Sequence, residues 1–123
     1  MSSQENGFQE KDFTFIGTRT LIEGILKLSG KTHINGHISG ELHIEDKSLL
    51  TFETYSSFKG DVFCHDLEVY GNLDGSIQAT GKVIIYPPAK VSGKIKSENL
   101  VIYPGAQVEI KADAEDYSQR KSW

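Results

Sequence analysis

The chain has 123 residues, 37% hydrophobic and 24% charged, with 13 Lys and Arg against 17 Asp and Glu for a formal charge of −4. That is material for one domain rather than two, and an acidic balance without a basic run leaves no electrostatic footprint for nucleic acid phosphates. With one cysteine, Cys64, no internal disulfide can form; the first residues lack a secretory layout and no apolar run approaches the roughly 18 to 20 residues of a membrane-spanning helix, so the expected setting is the cytosol.

Residues 1–15 are mostly polar and read as a flexible tail, in which Phe8 and Phe13 are candidate contacts with a membrane or a partner. Beyond them the composition is that of short strands. Isoleucine outnumbers alanine twelve to five, and eleven of the twelve glycines fall between Gly17 and Gly105. Alanine is the best helix former and isoleucine is favoured in strands. No stretch of ten residues keeps a helical apolar period free of interior glycine.

The strands repeat. An apolar, any, Gly, any, apolar unit is centred on Gly24, Gly40, Gly60, Gly75 and Gly93, at steps of 16, 20, 15 and 18 residues. A further step of 17 reaches Ile110, which stands where the glycine would be. A second apolar column, Ile16, Ile34, Phe52, Val69, Ile85 and Ile102, keeps steps of 18, 18, 17, 16 and 17. A period near 17 is too short for two helices and suits three short strands with three corners, one turn of a β-solenoid. Side chains alternate along a strand, so Ile38 and Leu42 should face inward. Gly40, between them, should relieve crowding near a corner. About six turns stacked roughly 4.8 Å apart make a rod about 25 to 30 Å long. Steps that wander favour a right-handed parallel solenoid over the strict six-residue beat of left-handed hexapeptide solenoids. Pro87-Pro88-Ala89 and Pro104-Gly105-Ala106 read as corners, and Tyr70, Tyr86 and Tyr103 should stack as a ladder.

Some segments resemble chemistry and read better as structure. Gly24 to Thr32 looks like a phosphate-binding loop, but has five residues between its glycines where that motif has four, and no helix follows. His33 and His37 have outward parity beside Ile34 and Ile38, and His43 follows inward Leu42, so these and His65 read as surface histidines rather than zinc ligands. Cys64 reads as a buried small hydrophobe. Neither a catalytic residue nor a cofactor or metal site is expected. After the repeat ends at residue 112, residues 113–123 read as a solvated tail.

The repeated Ile/Val-x-Gly-x-Ile units, the run from Leu100 to Ala106 and the short polar tails resemble the bactofilins, polymer-forming bacterial cytoskeletal proteins. The resemblance covers about Gly17 to Ile110. The family's closing Gly-Ala-x-Phe-x-Gly becomes Gly105-Ala106-Gln107-Val108-Glu109-Ile110, with valine for the aromatic and isoleucine for the last glycine. The resemblance implies an all-β, right-handed parallel β-helix over 16–112 that joins end to end into filaments without nucleotide. It further implies a scaffold in cell shape or polar organisation, often at the inner face of the cytoplasmic membrane and with envelope proteins as partners. Solenoid physics points the same way, since uncapped end turns expose strand edges and a slice of the core. The candidate polymerisation interface is Ile16, Ile22, Leu26 and Leu28 at one end and Ile102, Val108 and Ile110 at the other. The alternative is a trimeric hexapeptide-repeat acyltransferase or carbonic anhydrase.

Overall fold

The computed structural model describes residues 13–110. Among these residues there are twelve strands and no helix. They come in pairs, one pair per turn: β1 (Phe13–Ile16) and β2 (Leu21–Leu28), β3 (Lys31–Ile34) and β4 (His37–Ile44), β5 (Leu49–Phe52) and β6 (Ser57–Cys64), β7 (Asp66–Val69) and β8 (Asn72–Ala79), β9 (Lys82–Ile85) and β10 (Lys90–Lys96), β11 (Asn99–Ile102) and β12 (Gln107–Ile110). Odd-numbered strands stack into one six-stranded sheet and even-numbered strands into another, in chain order. Every neighbour pair is parallel. This is the expected all-β solenoid of six turns. The first strand starts at Phe13, inside the stretch 1–15 that the sequence suggested was a flexible tail.

Both sequence columns are structural columns. Ile16, Ile34, Phe52, Val69, Ile85 and Ile102 pair in register from turn to turn. So do Gly24, Gly40, Gly60, Gly75, Gly93 and finally Ile110. The expectation of three separate strands per turn gives way to two. Hydrogen bonding runs unbroken through the glycine, so the second and third strands form one longer element that turns at its middle. The corner glycines carry φ between +126° and +146°, which is far from the extended values of a straight strand and strained for any L side chain.

Crowding at that corner is axial rather than lateral. A Cβ added to Gly40, Gly60, Gly75 or Gly93 would run into the carbonyl oxygen of the corner glycine one turn earlier. The glycine column is therefore what lets the turns stack at strand spacing.

Inward side chains fill the centre. Ile34, Leu42, Leu50, Phe52, Val62, Val69, Val83 and Ile85 are fully buried. Phe52 and Phe58 meet as tilted rings with centroids 5.4 Å apart. The corners continue the ladder, as in Tyr70 N–H donating to the Phe52 carbonyl at 2.7 Å and Tyr86 N–H to the Val69 carbonyl at 2.9 Å. The 20-residue step between Gly40 and Gly60 is taken up at two four-residue corners, 53–56 between β5 and β6 and 45–48 between β4 and β5. There Asp46 accepts from the N–H groups of Gly30 and Ser48. Slight burial would raise the Asp46 carboxyl, but these donors outweigh it and hold the group below its ordinary 3.8.

Candidate assembly surfaces

The sides of the solenoid are occupied with their own chemistry. His33 Nδ1 lies 2.6 Å from Glu53 Oε2, His43 bonds Glu41 at 3.0 Å and stacks on Phe63 at 4.5 Å with the rings 9° apart, and His65 bonds Thr80 at 2.8 Å. His37 is exposed on β4. Among the described residues no three His, Cys, Asp or Glu side chains gather as a metal-binding group. A depression of about 540 Å³ is lined by His43, Asp46, Phe63, His65 and Lys96 among others, and its two histidines and Asp46 already hold the partners just named. The phosphate-loop lookalike is the end of β2, a corner and β3. Its Thr32 is buried and its hydroxyl donates to the Gly30 carbonyl at 3.1 Å. Cys64 is buried, and that burial, with the Asp66 carboxylate nearby, pushes its thiol up to about 12. Tyr70 and Tyr86 stack at 4.5 Å and 4°, and Tyr86 meets Tyr103 at 5.0 Å and 37°, which is the expected ladder.

The ends are different. Ile16, Ile22, Leu26 and Leu28 at the first turn, and Ile102, Val108 and Ile110 at the last, point inward and pack on the core but are only partly buried. Among the described residues each lacks the turn that covers its interior counterpart. Leu100 and Ala106 belong with the second group and were missed from the sequence. The parity of β11 and β12 could have found them, because each lies two residues before an inward neighbour. Backbone groups are open too. Among the described residues β1 and β2 have strand partners on one side only, as do β11 and β12. Among the described residues the pairing of β10 with β12 runs as far as Gly93 opposite Ile110.

The first turn carries a further set, to which the sequence candidate Phe13 belongs. Phe13, Phe15, Leu21 and Ile25 point outward and are 61%, 59%, 71% and 66% exposed. Their partners in the next turn are Lys31, His33, His37 and Glu41, so the apolar rim is confined to the end. Phe13 rests beside His33, the ring centroids 5.7 Å apart. Aligning the turns by register would have exposed this contrast. Phe8 lies outside the described residues.

An open parallel edge over a half-buried apolar cross-section is a template for adding another strand layer. Burying a large aliphatic side chain from full exposure contributes roughly 1.5 to 3 kcal/mol, so a half-buried one has about 1 kcal/mol still to gain. Several such side chains, joined by ladder hydrogen bonds, suit association of ends with ends.

Comparison with known proteins agrees. The family described as Bactofilin, polymer-forming cytoskeletal, matches residues 14–112. Bactofilin BacO of Myxococcus xanthus (strain DK1622) is 26% identical over 100 residues, covering 81% of this chain and 78% of that protein. No solved structure matches. The stacked glycine corners, the two apolar columns and the family match over nearly the whole described solenoid lead to one conclusion: this chain belongs to the bactofilin family of polymer-forming cytoskeletal proteins.

Proposed function

We propose that the chain is a non-enzymatic scaffold whose solenoids join end to end into filaments that need no nucleotide. The observation that carries this reading is the contrast, among the described residues, between a sealed interior and two ends where apolar side chains and strand edges are left half-covered. Ile16, Ile22, Leu26 and Leu28 form one contact surface; Ile102, Val108 and Ile110, with Leu100 and Ala106, form the other. The filament serves cell shape or spatial organisation in the cytoplasm of a bacterium, at the inner face of the cytoplasmic membrane and in contact with envelope proteins. The exposure of Phe13 on the rim of the first turn supports such a contact.

Electron microscopy of the purified protein without nucleotide tests the proposal. Unbranched filaments are expected, and discrete particles at all concentrations would overturn it.

A further inference from the structure

The residues before the glycine corner in the even-numbered strands form a face whose charges are ordered along the rod. From β6 to β12 one outward column runs Lys59, Asp74, Ser92 and Glu109, and beside it runs Ser57, Asn72, Lys90 and Gln107, each in register with the next. Lys59, Asp74, Lys90 and Glu109 are exposed. Turn by turn the face therefore reads positive, negative, positive, negative. These side chains line an open trough of about 360 Å³, in which Ser92 Oγ donates to Asp74 Oδ1 at 3.1 Å.

An alternation of this kind over an even number of turns is complementary to its own reverse. Facing two copies with their axes antiparallel, about a two-fold axis between β8 and β10, sets β6 of each against β12 of the other and β8 against β10. Lys59 then opposes Glu109 twice over, and Asp74 opposes Ser92 with Lys90 one column away. The remaining pairs agree: Ser57 meets Gln107 and Asn72 meets Lys90, each a donor with an acceptor. Facing sheets lie about 10 Å apart, a gap that a lysine and a glutamate side chain bridge together.

Other arrangements do worse. A shift of one turn in either direction sets Asp74 against Glu109 or Lys59 beside Lys90. With the axes parallel, a two-fold sets each turn against itself, so that Lys59 meets Ser57, Asp74 meets Asn72 and no charge opposes its opposite. Contact through one self-complementary patch is the commonest way in which identical chains pair.

We propose that this face, over β6, β8, β10 and β12, is a docking surface for a second copy of the chain, which lies antiparallel beside the first. The pairing stands on the charge order alone; its repetition along a filament, where many weak contacts act together, rests on the filament reading above.

The test mixes a Ser57→Cys chain with a Gln107→Cys chain at millimolar concentration and low salt, and adds a short bismaleimide. The two-fold brings these two positions together and keeps like positions three turns apart, so either chain alone is the control; the native Cys64 is buried and does not compete. The mixture should link about tenfold faster than either chain alone, because docking raises the effective concentration. Lys59→Glu in both partners, or Glu109→Lys in both, should slow linking about tenfold, since an exposed ion pair is worth a few-fold and the two-fold axis counts it twice. Both substitutions together should restore the rate to within about twofold, which a fault in folding would not allow. Equal linking in the mixture and in the separate chains would overturn the pairing. Single reversals that the double variant fails to rescue would give the face to another partner and overturn it too. If the unaltered chain formed no filaments the filament reading would fail, while the linking rates would still decide the pairing.

Discussion

Leu42 and Leu26 occupy the same column, directly paired in register, yet one is fully buried and the other only partly. Gly60 and Gly24 share a column too, and among the described residues a Cβ would strike backbone at the first and open space at the second. The same residue type at the same register position meets different surroundings because, among the described residues, one turn has a layer on both sides and the other on one. In a solenoid, position along the stack decides what a residue is worth, and an end turn is an interior turn that lacks its partner.

Substitutions that split these pairs test that view. Gly60→Ala should be the most disruptive, since it adds both strain at φ +134° and a collision with the Gly40 carbonyl; a loss of about 4 kcal/mol or more is expected in a denaturant melt, among the largest single-residue effects. Gly24→Ala carries the strain without the collision and should lose about 1 to 3 kcal/mol. Equal losses would show that axial crowding is not what selects glycine.

Leu26→Arg and Ile110→Arg put a charge at each proposed end contact. Burying it unpaired costs about 3 to 5 kcal/mol, so the concentration needed for filaments should rise at least a hundredfold with strand content by circular dichroism unchanged. Filaments of ordinary length from both variants would mean that the contacts lie elsewhere.

Leu42→Ala should lose about 2 to 5 kcal/mol as an interior cavity, and Leu26→Ala about 1 kcal/mol in the unassembled protein. Assembly should narrow that gap, because Leu26 then gains the covering that Leu42 always has; unchanged relative losses in the filament would contradict it.

The smallest effect concerns the tyrosine ladder. Burial, then the charge of Glu68, raises the hydroxyls of Tyr70 and Tyr86 above their ordinary 10. A raised folded value favours the neutral form, so this contribution is fully present below pH 10 and is lost as pH rises through the folded values. The melting temperature should therefore decline from pH 10 upward, and Glu68→Gln should soften the decline. A flat profile would remove the ladder from the account.

The periodic part of this architecture was legible because each turn repeats the same demand. The Ile16 and Gly24 columns follow from residue spacing, and so does the arrival of Ile110 opposite Gly93. What escaped was set by contacts between turns. The axial collision at Gly40 needs the carbonyl of another turn, and a single strand offers no sign of it. The His33–Glu53 pair spans 20 residues because it is diagonal, Glu53 lying two residues past Thr51, the in-register partner of His33, so no fixed period leads to it. The rim of Phe13, Phe15, Leu21 and Ile25 stands out only beside Lys31, His33, His37 and Glu41, and Leu100 and Ala106 only once the last turn is seen to be uncovered.

Fibre diffraction from aligned filaments tests end-to-end stacking most directly. The account predicts a reflection near 4.8 Å along the filament axis, with a subunit repeat of about 29 Å for six turns at that spacing. The same 4.8 Å reflection lying across the axis would place solenoids side by side and contradict assembly through the end turns.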